Sequence, residues 1–147
     1  MNIDKLREEL KADEGCRYEI YLDHLNLYTH GIGHLILSSD PEYGLPVGTS
    51  VSEDRVNECF ASDVETVLSE CTLLYPNFSI LPEEVQLIIA NMMFNMGRPR
   101  LSTFVGMKAA IDVGDWHRAA VEMVDSKWYQ QVTNRADRLV QRMRAVK

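Results

Sequence analysis

The segment "DEGCRYEIYLDHLNLYTHGIGH", residues 13–34, concentrates side chains that can do chemistry. Glu14 and Asp23 put two carboxyl groups nine residues apart, and the Thr29 hydroxyl follows six residues later. Glycoside hydrolysis needs such a pair. One carboxyl group holds a proton for the leaving oxygen, and the other stays ionised to activate water, attack, or stabilise positive charge. A hydroxyl donates one hydrogen bond and accepts two, which suits it to holding a water. With 22 acids in the chain, however, spacing alone does not separate a working pair from coincidence. The segment also carries His24, His30 and His34. Histidine titrates near neutrality, so His34 is a candidate acid–base group. The three rings could hold a metal only with a further ligand, and His24 falls in a turn; no metal is expected.

These groups must be positioned by the elements around them. Ile3, Leu6 and Leu10 share one helical face, with Asn2 as a cap and Gly15 as a stop signal, so a short helix ends near Asp13. In "RYEIYLD", Tyr18, Ile20 and Leu22 alternate with Arg17, Glu19 and Tyr21, which predicts a strand. "HLN" is a turn, and "LYTHGIGH" returns as a second strand, although Gly31 and Gly33 weaken a strand unless something approaches the backbone closely. "SSDPEYGLPVGT" reads as loop. From Ser52, a good cap, the period changes. Val56, Phe60, Val64, Val67, Cys71 and Leu74 recur every three or four residues, giving one long helix. Pro82, Glu83 and Glu84 open another helix, which buries Val85, Ile88, Ile89, Met92, Met93 and Met96 and stops at Gly97. Shorter helices are expected near 102–112, 115–124 and 134–145. The fold class is therefore α+β, in one domain of 147 residues. A small hairpin lobe (about 14–51) leads through a connecting helix (about 52–75) into a helical lobe (about 76–147 plus 1–13). Two lobes leave a cleft, a common ligand site.

Composition bounds the function class. Hydrophobic residues make up 46% and charged residues 25%, as in soluble globular proteins. The net charge of −7 is unevenly placed: residues 1–74 carry 5 Lys/Arg against 15 Asp/Glu, and residues 75–147 carry 10 against 7. The basic stretch 127–147 could meet an anionic partner, but cations in the last turns of a helix also suit its dipole. No nucleic-acid partner is expected. The three cysteines, Cys16, Cys59 and Cys71, show neither metal nor disulfide spacing, and free thiols in a reducing compartment are expected. No signal peptide or membrane span is expected. The methionines, Trp116 and Trp128 read as packing.

Seven fragments in order resemble the T-even-type bacteriophage lysozymes, glycoside hydrolase family 24. They are "MNI", "DEG-R--IY-D", "YT-GIGH", "F--DV" (60–64), "NM-F-MG" (91–97), "W--AA" (116–120) and "S-WY-Q--NRA" (126–136). The chain is shorter than the type member between His34 and Ser52 and at the C-terminus. The resemblance implies a two-lobed lysozyme fold and a muramidase that hydrolyses the β-1,4 bond between N-acetylmuramic acid and N-acetylglucosamine in bacterial peptidoglycan, without a cofactor. It implies Glu14 as general acid, Asp23 as second carboxylate and Thr29 as the residue holding the attacking water. Leu35, Phe94, Met107 and Glu122 match substrate-binding positions, with methionine and glutamate at the last two where serine and asparagine are usual. Arg135 matches the "NRA" arginine and is expected near Glu14. His34 and Asp63 are expected to form a stabilising ion pair. The implied biology is a monomeric endolysin, active in host cell lysis, held in the host cytoplasm until a phage holin releases it to the cell wall. The rival readings are a lytic transglycosylase, for which Asp23 and Thr29 would be surplus; a catalytically silent glycan-binding module; and a virion-tail lysozyme, which would need an assembly domain.

Overall fold

The computed structural model describes residues 1–147. Helix α1 (Ile3–Glu14) is followed by strands β1 (Arg17–Leu22), β2 (Tyr28–Gly31) and β3 (His34–Leu35) and by the long helix α2 (Glu53–Leu74). A 3₁₀ turn (Phe78–Ile80) precedes α3 (Glu83–Leu101), α4 (Val105–Asp112), α5 (Trp116–Val124), α6 (Lys127–Gln131) and α7 (Thr133–Arg144). This is the expected α+β class. The chain divides into two compact units: Asp4–Thr66, called here the N-terminal unit, and Val67–Lys147 with Met1–Ile3, the C-terminal unit. The division falls within α2, and α1 from Asp4 onward groups with the sheet. No helix is long and apolar enough to cross a membrane.

In the N-terminal unit the sheet is antiparallel, in the order β1-β2-β3. Tyr21 lies opposite Thr29 and Leu22 opposite Tyr28, with a register shift between Arg17 and Tyr21. The outer edge of β1 is covered by residues 48–51: Ile20 N–H donates to Thr49 O, and Val51 N–H donates to Tyr18 O. That pairing blunts an edge that would otherwise be open. The expected second strand is in fact two. Residues 28–31 and 34–35 form a hairpin, with His30 opposite His34. Gly31 and Gly33 both have φ of 63°, a left-handed conformation that glycine adopts without a Cβ penalty. A Cβ on Gly31 would lie 2.8 Å from the Val56 side chain of α2. The turn therefore needs both glycines, one for conformation plus close helix packing and one for a reason given below. Helix α2 opens where expected, with Ser52 Oγ accepting from Arg55 N–H at 3.1 Å.

The C-terminal unit is built around α3. Val85 to Met93 are all buried, including Leu87, Ile88, Ile89 and Met92 with no exposed surface. The helical path breaks at Gly97 (φ 79°, ψ 163°), where the sequence places its stop, and one further turn follows to Leu101. Helix α6 was not anticipated. Ser126 Oγ caps it by accepting from Tyr129 N–H, but five residues are too few to show a period. Trp128 is buried, and its Nε1 donates to Asn95 Oδ1 at 2.7 Å. Arg142 of α7 pairs with Glu84 of α3.

Candidate active site

Glu14 is the last residue of α1 and is half-buried. A Cβ on Gly33 would lie 2.7 Å from Glu14 Oε1 and 2.8 Å from its Cδ, so the carboxyl group rests directly on the backbone of the β2–β3 turn. This is the second glycine requirement: any side chain at residue 33 would displace Glu14. Helix end and hairpin thus fix one another.

Asp23 and Thr29 are tied together by Leu27. The N–H groups of Leu25 and Leu27 donate to Asp23 Oδ1 at 2.8 and 2.9 Å. The Leu27 carbonyl accepts from Asp23 N–H at 3.0 Å and from the Thr29 hydroxyl at 2.9 Å. Backbone donors on Oδ1 fix the plane of the carboxylate in the turn after β1. Thr29 is buried, and its one proton is committed to Leu27. What its oxygen still offers is acceptance.

Tyr21, which the sequence analysis treated only as a strand residue, belongs to the same neighbourhood. It sits opposite Thr29 in the sheet and two residues before Asp23. Its phenol holds its proton more tightly than usual, first because of burial, then because of the negative charge of Glu14, with Asp23 adding to it. The Arg17 guanidinium works the other way; it lies over the ring, 4.2 Å from the centroid. One side chain therefore senses both carboxylates. The signal available in the sequence was its alternation with Ile20 and Leu22, which puts it on the opposite strand face from them.

The expected His34–Asp63 pair forms, with Nδ1 to Oδ2 at 2.7 Å. A second carboxylate was not foreseen: Asp40 Oδ2 lies 2.9 Å from His34 Nε2. Burial pulls the His34 pKa down, but the bonds and charges of Asp63 and then Asp40 outweigh it, and the net shift is upward. Arg55 links the network by bonding Asp40, Glu42 and Glu58. Glu42 in turn reaches His30 Nε2 at 3.2 Å. Burial raises Glu42 and Asp40, but their partners, Arg55 for the first and Leu37 N–H, His34 and Arg55 for the second, bring both below the usual carboxylate range. With both nitrogens occupied, His34 is a structural ion-pair partner and not a solvent-facing acid–base group. His24 is exposed in the turn, apart from this network.

Of the four expected substrate positions, Leu35 is exposed on β3 and Phe94 half-buried on α3. Met107 has no exposed surface and is buried on α4 of the C-terminal unit. It forms the floor of a cavity of about 480 Å³, which Arg100, Gly106, Glu122, Lys127 and Trp128 also line. Glu122 is packed on Gly106, where a Cβ would lie 2.5 Å from its carboxyl carbon. Arg135 is buried in the same unit, and its Nε donates to Asn91 Oδ1 at 2.8 Å. The three cysteines are free, Cys16 exposed and the other two buried.

Residues 11–145 match the phage lysozyme family. The chain is 29% identical to "Probable T4-type lysozyme 1" of Dictyostelium discoideum over 94% of its own length and 92% of that protein. It is 28% identical to "Pre-baseplate central spike protein Gp5" of Enterobacteria phage T4, of which it spans 26%. It is 31% identical to "Peptidoglycan hydrolase gp36" of Pseudomonas phage phiKMV, of which it spans 15%.

Proposed function

The chain belongs to the phage lysozyme family, and from that premise we propose that it is a muramidase that hydrolyses the β-1,4 bond between N-acetylmuramic acid and N-acetylglucosamine in peptidoglycan. One observation carries the reading. Glu14, Asp23 and Thr29 lie in one compact unit, and each is held by main chain of the turns that link its strands: Glu14 on Gly33 of the β2–β3 turn, and Asp23 and Thr29 on Leu27 of the β1–β2 turn. Held side chains lower the cost of reaching the reactive geometry.

In this mechanism Glu14 gives its proton to the glycosidic oxygen as the bond to the sugar carbon breaks. A water attacks that carbon from the opposite face. Because the Thr29 proton is already used, Thr29 accepts one hydrogen of this water while Asp23 accepts the other. Both hydrogens are then engaged, and a lone pair is left to point at the carbon. Asp23 takes the proton as the new bond forms. The Asp23 carboxylate also offsets positive charge developing on the sugar. Leu35, Phe94 and Glu122 are the proposed glycan-contacting side chains, and Arg135, anchored by Asn91, is a proposed supporting residue. No cofactor takes part in any step.

The proposed biology is that of an endolysin: a monomer made in the host cytoplasm, released through a holin, and lysing the cell by cutting its wall. A second reading, a lysozyme unit carried by a virion, is favoured by the similarity to the phage T4 spike protein. Both readings share the chemistry.

Attack by water inverts the anomeric carbon and needs the carboxyl groups about 6.5–9.5 Å apart, whereas a retaining enzyme brings them to about 5–5.5 Å. NMR of the first-formed product, before mutarotation, tests this. An α-anomer is expected. A β-anomer would mean that Asp23 attacks first as nucleophile and that water enters only in a second step, activated by Glu14 and not by Asp23 and Thr29.

A further inference from the structure

We propose that His30, His34 and Cys59, with Glu42 as fourth ligand, form a binding site for a divalent transition metal of the zinc class. The three side chains come from β2, β3 and α2 and are 0%, 8% and 4% exposed. Each offers a donor atom, and these atoms lie within 4.8 Å of one another. Cys59 Sγ is 4.0 Å from His30 Nε2, and Glu42 Oε1 is 3.2 Å from the same nitrogen. A tetrahedral ion with bonds of about 2.0–2.3 Å holds its ligands roughly 3.3–3.8 Å apart. For the two histidines and the cysteine, ligand formation therefore asks for shifts of about an ångström, not for a new fold.

Donor type and charge both select the ion. Two imidazoles, a thiolate and a carboxylate suit zinc better than calcium or magnesium, which take oxygen ligands. Asp40, Glu42 and Asp63 face the site with Arg55 as their only guanidinium, which leaves two negative charges when His34 is neutral. A divalent cation matches that excess. His34 already sits between two carboxylates, so one nitrogen can turn to the metal while the other keeps an aspartate. Ligating histidines commonly have such an outer carboxylate. His30 is biased to the neutral form by burial and then by the His34 charge, so a lone pair is available. Its Nδ1 is buried without a hydrogen-bond partner. When Nε2 binds the metal, the ring proton moves to Nδ1, an unmet donor that the metal bonds must outweigh. The Cys59 thiol is pushed up to about 11 by burial, so binding expels its proton to solvent, and a second from His34 when that ring is charged. His24 and Cys16, both exposed, take no part.

The site is closed, so the test loads it during folding. The full chain is unfolded, refolded with one equivalent of Co²⁺, and desalted. The expected result is one retained cobalt per chain, a thiolate-to-cobalt charge-transfer band, bleaching by Zn²⁺, and a higher unfolding midpoint with either metal. Cys16→Ser should keep the band. Cys59→Ser should lose it and bind cobalt more than about tenfold more weakly. Retained metal without the thiolate band, equal binding by Cys59→Ser, or no retained metal would each overturn the proposal. If Cys59→Ser does not refold, the wild-type band in the Cys16→Ser background decides alone.

Discussion

The two units fill their interiors by different means. Around α3 the C-terminal unit excludes water with apolar bulk such as Leu87, Ile88, Ile89 and Met92; of the polar exceptions, Asn91 and Arg135 bond one another and Gln86 donates to the Leu81 carbonyl. The N-terminal unit also has apolar anchors, Leu6, Leu10 and Ile20, but beside them it buries His30, His34 and Glu42, with Asp40 and Asp63 bonding His34 and with Arg55 and His30 bonding Glu42. Buried ions are costly unless paired, so this interior is specified by charge and geometry more than by volume. The unit that holds the proposed catalytic carboxylates is thus also the one whose stability depends on protonation. That division yields predictions of different kinds.

The largest expected effect is on turnover. Glu14→Gln keeps the shape that rests on Gly33 but cannot give a proton, so peptidoglycan hydrolysis should fall by more than ~100-fold, the scale of general acid catalysis. The unfolding midpoint should stay near wild type. A folded variant that keeps a tenth of the activity would remove Glu14 from its role.

Next comes packing. Ile88→Ala should cost about 2–5 kcal/mol, the usual range for a buried large-to-small change, and the loss should be the same at pH 5 and pH 8. A clear pH dependence at this site would erase the distinction between the units.

Smaller, and opposite in kind, is Asp63→Asn. It should cost about 1–3 kcal/mol, the range for a charged hydrogen bond left without its partner. Its pH profile is diagnostic. The His34 pKa is raised by folding, so its contribution is complete below the unfolded value of about 6.5 and is lost as pH climbs through the folded value. For His30 the folded pKa is lowered, so the unfolded chain takes up its proton first, and stability falls as pH drops below about 6.5. Together the two rings place a stability maximum near that pH. Denaturant titrations across pH 5–8 should show it, and Asp63→Asn should flatten its alkaline side. A flat wild-type profile would contradict the ionic account of this interior.

How much of this was legible depended on range. Local periodicity located α1, β1, α2 and the Gly97 break, because each rests on residues within a few positions of one another. The resemblance in the sequence supplied Glu14, Asp23, Thr29 and the His34–Asp63 pair. Gly31 and Gly33 signalled a close approach to the backbone, but not the split into two strands, because Val56 and Glu14, which pack on those glycines, are distant in sequence. Asp40, Glu42 and Arg55 were invisible for the same reason: a loop carries the first two to a helix more than ten residues on. The full burial of Met107 was not legible either, because a matched position says nothing about which way α4 turns it. Tyr21 was seen only as a strand residue, since its relation to both carboxylates needs the register with Thr29.

The central claim is hydrolysis by a carboxyl pair assisted by water, and the most direct test is the chemistry of the cut ends. Purified peptidoglycan is digested with the wild-type protein, and the fragments are analysed by mass spectrometry after reduction. The account predicts hydrated saccharides that end in reducible N-acetylmuramic acid. Anhydro-muramic ends would show that no water enters and that Glu14 acts without Asp23 and Thr29, and intact strands would show that this constellation does not cut glycan at all.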